Sequence, residues 1–217
     1  PVSMTSISSA IASVLGAAEP REKVRRARQV ARDWRLGRLT HHFDVAMPTR
    51  PARPAHPELL APSHMPARRR AGSIAGRIAL LHAFAHIEFL AIDLAFDMAG
   101  RFGADQPKDF VDDWLSVGAD EAMHFMLLER RLASFGSHYG ALPAHDGLWE
   151  SAAETSGDVL ARLAIVPMVL EARGLDVSPA TIDRLAAMGD ARSAQILTRI
   201  YTDEIRHVGF GSKWFQI

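Results

Sequence analysis

Cysteine is absent from the 217 residues. Disulfides, iron–sulfur clusters, thiolate zinc sites and cysteine nucleophiles are therefore excluded. Net charge is absent as well, because 25 Lys and Arg balance 25 Asp and Glu. The chain as a whole lacks the electrostatic footprint of a nucleic-acid binder. No apolar run approaches the roughly 20 residues that cross a bilayer. Pro1 to Leu15 lack the basic start and long apolar core of a signal peptide. The expectation is a cytoplasmic protein with no membrane partner, and the opening on Pro1 suggests that the natural ends lie beyond this sequence. Period-two alternation is missing too, so no strand is expected. What remains is 48% hydrophobic and 23% charged, the balance of a folded all-α chain long enough for one large domain or a domain with an extension.

Residues 1–39 read as a helical N-terminal extension. Pro20 sits where a first helical turn tolerates it, and Val24, Ala27, Ala31 and Trp34 trace an apolar stripe. Between Arg21 and Arg38, eight Lys or Arg stand against Glu22 and Asp33. Such a run can serve nucleic acid or a membrane surface, but a packed helix with a solvated basic face is the simpler expectation. Residues 40–72 differ. Pro48, Pro51, Pro54, Pro57, Pro62 and Pro66 forbid a long helix or a central strand, which leaves an extended strap that buries Leu59, Leu60 and Met65.

Residues 73–217 are helical text. Ser73 caps a helix reaching Gly100, a second runs from about Pro107 to Gly136, and a loop follows to Gly147. The segment from Gly136 to Glu150 is the expected crossover between two hairpins. A third helix is expected from Ser151 or Ser156 to Gly174, kinked at Pro167. A short one follows Ser178-Pro179, and Asp190 caps a last helix reaching about Val208. Trp114, Phe125, Phe84 and Met168 read as core.

Two of these helices carry the same motif, Asp120-Glu121-Ala122-Met123-His124 and Asp203-Glu204-Ile205-Arg206-His207. Glu and His three positions apart share a helix face, so both can reach one metal ion. The aspartate shares that face and can accept a ring N–H from a ligating histidine on the partner helix. A four-helix di-metal site needs two such motifs and one Glu from each remaining helix. Glu88 precedes Glu121 by 33 residues, and Glu171 precedes Glu204 by the same interval. In an antiparallel hairpin, Glu88 to Gly100 climbs about 18 Å and Pro107 to Glu121 descends about 21 Å, which levels the first pair. The equal spacing looks like an internally duplicated hairpin.

Four carboxylates and two neutral imidazoles bring four negative charges into a core, and two divalent cations would cancel them. Oxygen-rich ligation with histidine and no sulfur favours iron, manganese or a mixed pair over zinc. The expected ligands are Glu88, Glu121, His124, Glu171, Glu204 and His207, with Asp120 and Asp203 behind the histidines. The competing expectation for the same residues is a set of salt-bridged pairs between helices.

The paired motifs with Glu88 and Glu171 resemble the ferritin-like di-iron carboxylate superfamily. More narrowly, Met65-Pro66-Ala67-Arg68, Gly72-Ser73, His82-Ala83-Phe84-Ala85-His86-Ile87-Glu88, Ala91-Ile92-Asp93-Leu94 and Leu170-Glu171-Ala172-Arg173-Gly174-Leu175-Asp176 resemble a bacterial ferritin-like family with no assigned function. The likeness covers roughly residues 45–210 and implies a ferritin-like four-helix bundle with a metal site. Arg206 fits a DExRH form similar to that of the multicomponent hydroxylases, whereas Met123 departs from it.

His82 and His86 stand on a face turned away from Glu88 and are expected as hydrogen-bonded structural histidines, with a pocket role as the alternative. Asp93 is a shorter-armed rival to Glu88. Tyr201, one turn before Glu204, is either a redox or pocket phenol or a core residue, and its counterpart Gly118 would leave room for a substrate. The function expected from all this is an oxidoreductase of the oxygenase, hydroxylase or oxidase kind that activates dioxygen or peroxide. Its substrate would be a small molecule or a modified nucleic-acid base, and an electron donor and a homodimer are compatible with it. A storage protein or a scaffold with a structural metal pair are the alternatives.

Overall fold

A computed structural model of the chain describes residues 4–66, 72–145, 147–165 and 177–216. Most helices, though not the one behind Pro107, begin where a side chain can take up backbone N–H groups that the helix leaves without partners. Ser6 caps α1 (Ile7–Leu15), and the Glu19 carboxylate accepts from Arg21 and Glu22 at the head of α2 (Pro20–Arg35). Ser73 accepts from Gly76 to open α3 (Ile74–Phe102), and a short 3-10 turn at Gly103–Asp105 returns the chain as α4 (Lys108–Ser134) along α3. After a loop come α5 (Gly147–Glu154) and helical residues 159–165, here α6. Ser178 caps α7 (Pro179–Ala187), and Asp190 caps α8 (Ala191–Phe215). The described residues contain no strand, so the protein is all-α. Two isolated bridges, Ser6 with Thr40 and Leu59 with Ala144, pin the proline-rich segment at its start and past its middle.

Two expected boundaries are corrected. The third helix starts earlier, at Gly147, and is interrupted at residues 155–157. Asp158 then caps a new start by accepting from Leu160 and Ala161 at 2.9 and 3.3 Å. The last helix runs past Val208 to Phe215 because its end is docked: the Trp214 indole and Lys213 both donate to Asp113 at 2.9 Å. The expected kink at Pro167, the core role of Met168 and the cap at Gly174 lie outside the described residues.

One hydrophobic cluster joins the N-terminal helices to the rest. Ile7 and Ile11 of α1 and Ala27 and Trp34 of α2 share it with Phe89, Phe110, Leu128 and Ile200. Phe84, Trp114 and Phe125 are buried in it as expected. Met47 and Phe43 of the strap seat on Gly100 and Gly103, where a Cβ would collide with them. The helical stretch Ile74–Asp105, 32 residues, is long and apolar enough to cross a membrane by length and composition, which corrects the expectation that no such run exists. In the folded chain 67% of its most apolar window is buried in protein.

That same helix carries buried acids. Asp93 receives Lys23 Nζ at 2.6 Å and Arg53 Nη1 at 3.1 Å, and both ends of the Lys23–Asp93 pair are fully buried. Burial pushes the lysine pKa down and the aspartate pKa up, each toward its neutral form, and the pairing opposes both shifts. Asp97 receives Arg162 Nη1 at 2.5 Å and Arg101 at 2.9 Å. Charges taken from water cost several kcal/mol each unless paired, so these bridges tie α2, the strap and α6 to α3 in one register. Asp93 is therefore committed to Lys23 and Arg53.

Candidate metal centre

The two DExxH motifs lie on α4 and α8, and helical spacing points Glu and His of each inward. Glu88, Glu121 and His124 are buried together, and one ligand atom from each lies within 4.8 Å of the others, a set that can hold a metal ion. His124 Nδ1 is 3.2 Å from Glu88 Oε2 and 3.4 Å from Glu121 Oε2. His207 Nδ1 is 3.0 Å from the other oxygen of the same carboxylate, Glu121 Oε1. The Glu121 carboxylate thus lies between two imidazoles, whose ring centroids are 6.3 Å apart.

The outer nitrogens are held reciprocally. His124 Nε2 donates to Asp203 of α8 at 2.8 Å, and His207 Nε2 donates to Asp120 of α4 at 2.9 Å. A proton on Nε2 leaves the neutral ring's lone pair on Nδ1, aimed at the glutamates. Acceptors facing acceptors repel unless a cation, metal or proton, lies among them. Burial alone would disfavour a charged His124. Hydrogen bonds with Asp203, Glu121 and Glu88 outweigh it, and the pKa stands well above the ordinary 6.5.

Each aspartate also takes a guanidinium. Arg206 pairs with Asp120, and Arg199 Nε donates to Asp203 at 2.8 Å. Burial would raise the Asp203 pKa, but hydrogen bonds from His124 and Arg199 overcome this and hold it at about 2. The missing arginine at Met123 is thereby offset from α8 itself, one turn before Asp203. Sequence reasoning overlooked Arg199, although its i, i+4 spacing to Asp203 is a readable signal.

The remaining expected residues fall differently. Glu204 is buried on α8, one turn before His207. Glu171 lies outside the described residues. His86 Nε2 donates to the His145 carbonyl and its Nδ1 accepts from the Tyr139 hydroxyl, both at 2.8 Å. His82 Nε2 accepts from the Gly140 N–H at 3.0 Å, and Tyr139 stacks on both rings. These histidines fasten the loop after α4 to α3. Tyr201 is 37% exposed, so its ring is not core. The space at Gly118 holds the Phe96 ring, which corrects the expectation of room for a substrate there.

A family model described as "Protein of unknown function (DUF455)" matches residues 16–217. The chain belongs to the DUF455 family. A relative from Haemophilus influenzae, itself described as an uncharacterized protein, is 44% identical over 168 residues, which is 75% of this chain and 58% of that protein. This DUF455 chain therefore spans a little over half the length of that relative. No solved structure matches it. The family match takes in α2 through α8, and so includes both DExxH helices and the basic helix that precedes them.

Proposed function

We propose that this DUF455 chain is a metal-dependent oxidoreductase of the oxygenase, hydroxylase or oxidase kind, with a di-iron or iron–manganese carboxylate site in a ferritin-like four-helix bundle. The observation that carries the reading is Glu121, whose two oxygens face the Nδ1 atoms of His124 and His207 separately. His124 and His207 would hold metal through Nδ1 and Glu121 through its carboxylate. The donor set fits: nitrogen and oxygen, no sulfur, and lone pairs converging in a buried space. On this reading Glu88, grouped with Glu121 and His124, and Glu204, buried on α8, would both donate carboxylates, and the 33-residue spacing would give the fourth to Glu171.

Bound iron or manganese would supply redox chemistry toward dioxygen or peroxide. The chain's own part is positional. Asp120 and Asp203 fix the ring tautomers and make Nδ1 more basic, while Arg206 and Arg199 fix the aspartates. Burial of Glu88, Glu121 and His124 excludes water from the group. The substrate on this reading is a small molecule or a modified base, with electrons from a separate donor.

The test is dioxygen uptake after anaerobic loading with Fe(II), set against the same iron free in buffer. Uptake well above the free-iron rate, together with a new optical band, is expected. Stoichiometric metal binding with uptake no faster than free iron would leave a structural metal pair, and a cage-sized particle in solution would indicate storage.

A further inference from the structure

We propose that a cleft between α2 and the α4–α8 face binds a small phosphate-bearing ligand. The cleft has a volume of about 620 Å3. Arg28, Arg32 and Arg35 of α2 line it from one side, joined by Arg38 just beyond the helix end. Asp120 and Met123 of α4 and Arg199 of α8 close the other. The size is that of a small-molecule site, neither a flat interface nor a single-ion niche.

The charges there are poorly balanced from within. Earlier on α2, Arg25 and Arg26 each pair with Glu22 at 2.7 Å, whereas Arg21, like the cleft arginines of the helix, has no ion-pair partner among the described residues. In the cleft Arg38 is held by Asp33 at 3.1 Å and Arg199 by Asp203 at 2.8 Å. Asp120 is already taken by Arg206 and His207. Arg28, Arg32 and Arg35 have no ion-pair partner among the described residues. Their spacing of four and three residues puts them on one exposed stripe of α2 along the cleft, where Arg28 Nη1 also reaches Met126 Sδ at 4.0 Å. The carbonyl end of α2 favours cations and accounts for Arg32 and Arg35. It does not account for Arg28, and Arg199 comes from another helix already paired with Asp203.

Guanidinium forks match phosphate oxygens two at a time, and several converging in a concave site select a multiply charged phosphate over a single carboxylate. The site stands on the cleft alone and does not depend on the metal reading. It does adjoin that centre, because Asp120 and Arg199 are the groups that hold His207 directly and His124 through Asp203.

The experiment is calorimetric titration of pyrophosphate, and in parallel ADP, into the full chain freed of divalent metal, at about 0.15 M salt. Saturable binding at one site per chain with a Kd below about 0.1 mM is expected for at least one of them. ADP binding more tightly would mark the diphosphate as carried on a nucleotide, and equal binding would mark the head group alone. Arg32→Gln combined with Arg35→Gln should weaken binding at least about tenfold. Arg192→Gln, an exposed arginine outside the cleft, should leave it within about twofold. Melting curves of these surface variants should overlay the wild type. Absence of saturable binding by either probe would overturn the proposal, as would equal weakening by Arg192→Gln. Binding of a single-stranded RNA oligomer with neither probe bound would overturn it too, since that indicates an extended polyanion surface.

Discussion

His124 of α4 donates from Nε2 to the Asp203 carboxylate of α8 at 2.8 Å, and this bond turns Nδ1 toward Glu88 and Glu121. His207 and Asp120 repeat the relationship in the opposite direction at 2.9 Å. Removing either carboxylate frees one ring to rotate and makes its inner nitrogen less basic. Asp203→Ala and Asp120→Ala should each weaken metal binding by about 10- to 100-fold while leaving the helical content unchanged. Equilibrium dialysis with circular dichroism measures both quantities. Wild-type affinity in both variants would make the aspartates ordinary surface charges.

Acid and base should act on different histidines. Burial holds His82 and His86 at about 4, so between pH 6.5 and about 4 the unfolded chain takes up protons that the folded chain refuses. Their contribution is whole above 6.5 and is lost as pH falls through that window. His124 runs the other way, since its pKa is raised. Its contribution in the metal-free protein is whole below about 6.5 and is lost as pH rises through the raised value. The metal-free melting temperature should therefore pass through a maximum near pH 6.5. Metal should abolish the alkaline decline, because a cation then replaces the proton among the carboxylates. Superimposable melting series with and without metal would contradict this.

Lys23 and Asp93 test whether α2 is integral to the fold. Lys23→Met leaves the buried Asp93 carboxylate to Arg53 and should cost about 3 kcal/mol in denaturant unfolding. Arg25→Ala on the same helix breaks an exposed pair and should cost less than about 1 kcal/mol. Equal costs would mean that the buried bridge carries no particular weight.

The helices are legible where a cap and a period coincide, as at Ser73 with Ile74, Ile78 and Leu81, or at Pro20 with Val24 and Ala27. The inward set at α4 is legible for the same reason, since Asp120, Glu121 and His124 can share a face in no other regular structure. What is not legible depends on distant partners. Nothing near Lys23 announces Asp93, 70 residues away. The last helix reads as ending about Val208 until Trp214 finds Asp113 and carries α8 onward. Gly118 reads as an opening, and the Phe96 ring that fills it comes from another helix.

If the residues around Glu121 hold the proposed metal pair, the ions can be counted. Fe(II) titrated anaerobically into the metal-free chain, with iron measured after desalting, should reach about two ions per chain. Glu121→Ala should lose most of both together, because its two oxygens face both imidazoles. About one ion per chain or fewer, or full occupancy retained in Glu121→Ala, would contradict the proposed metal pair.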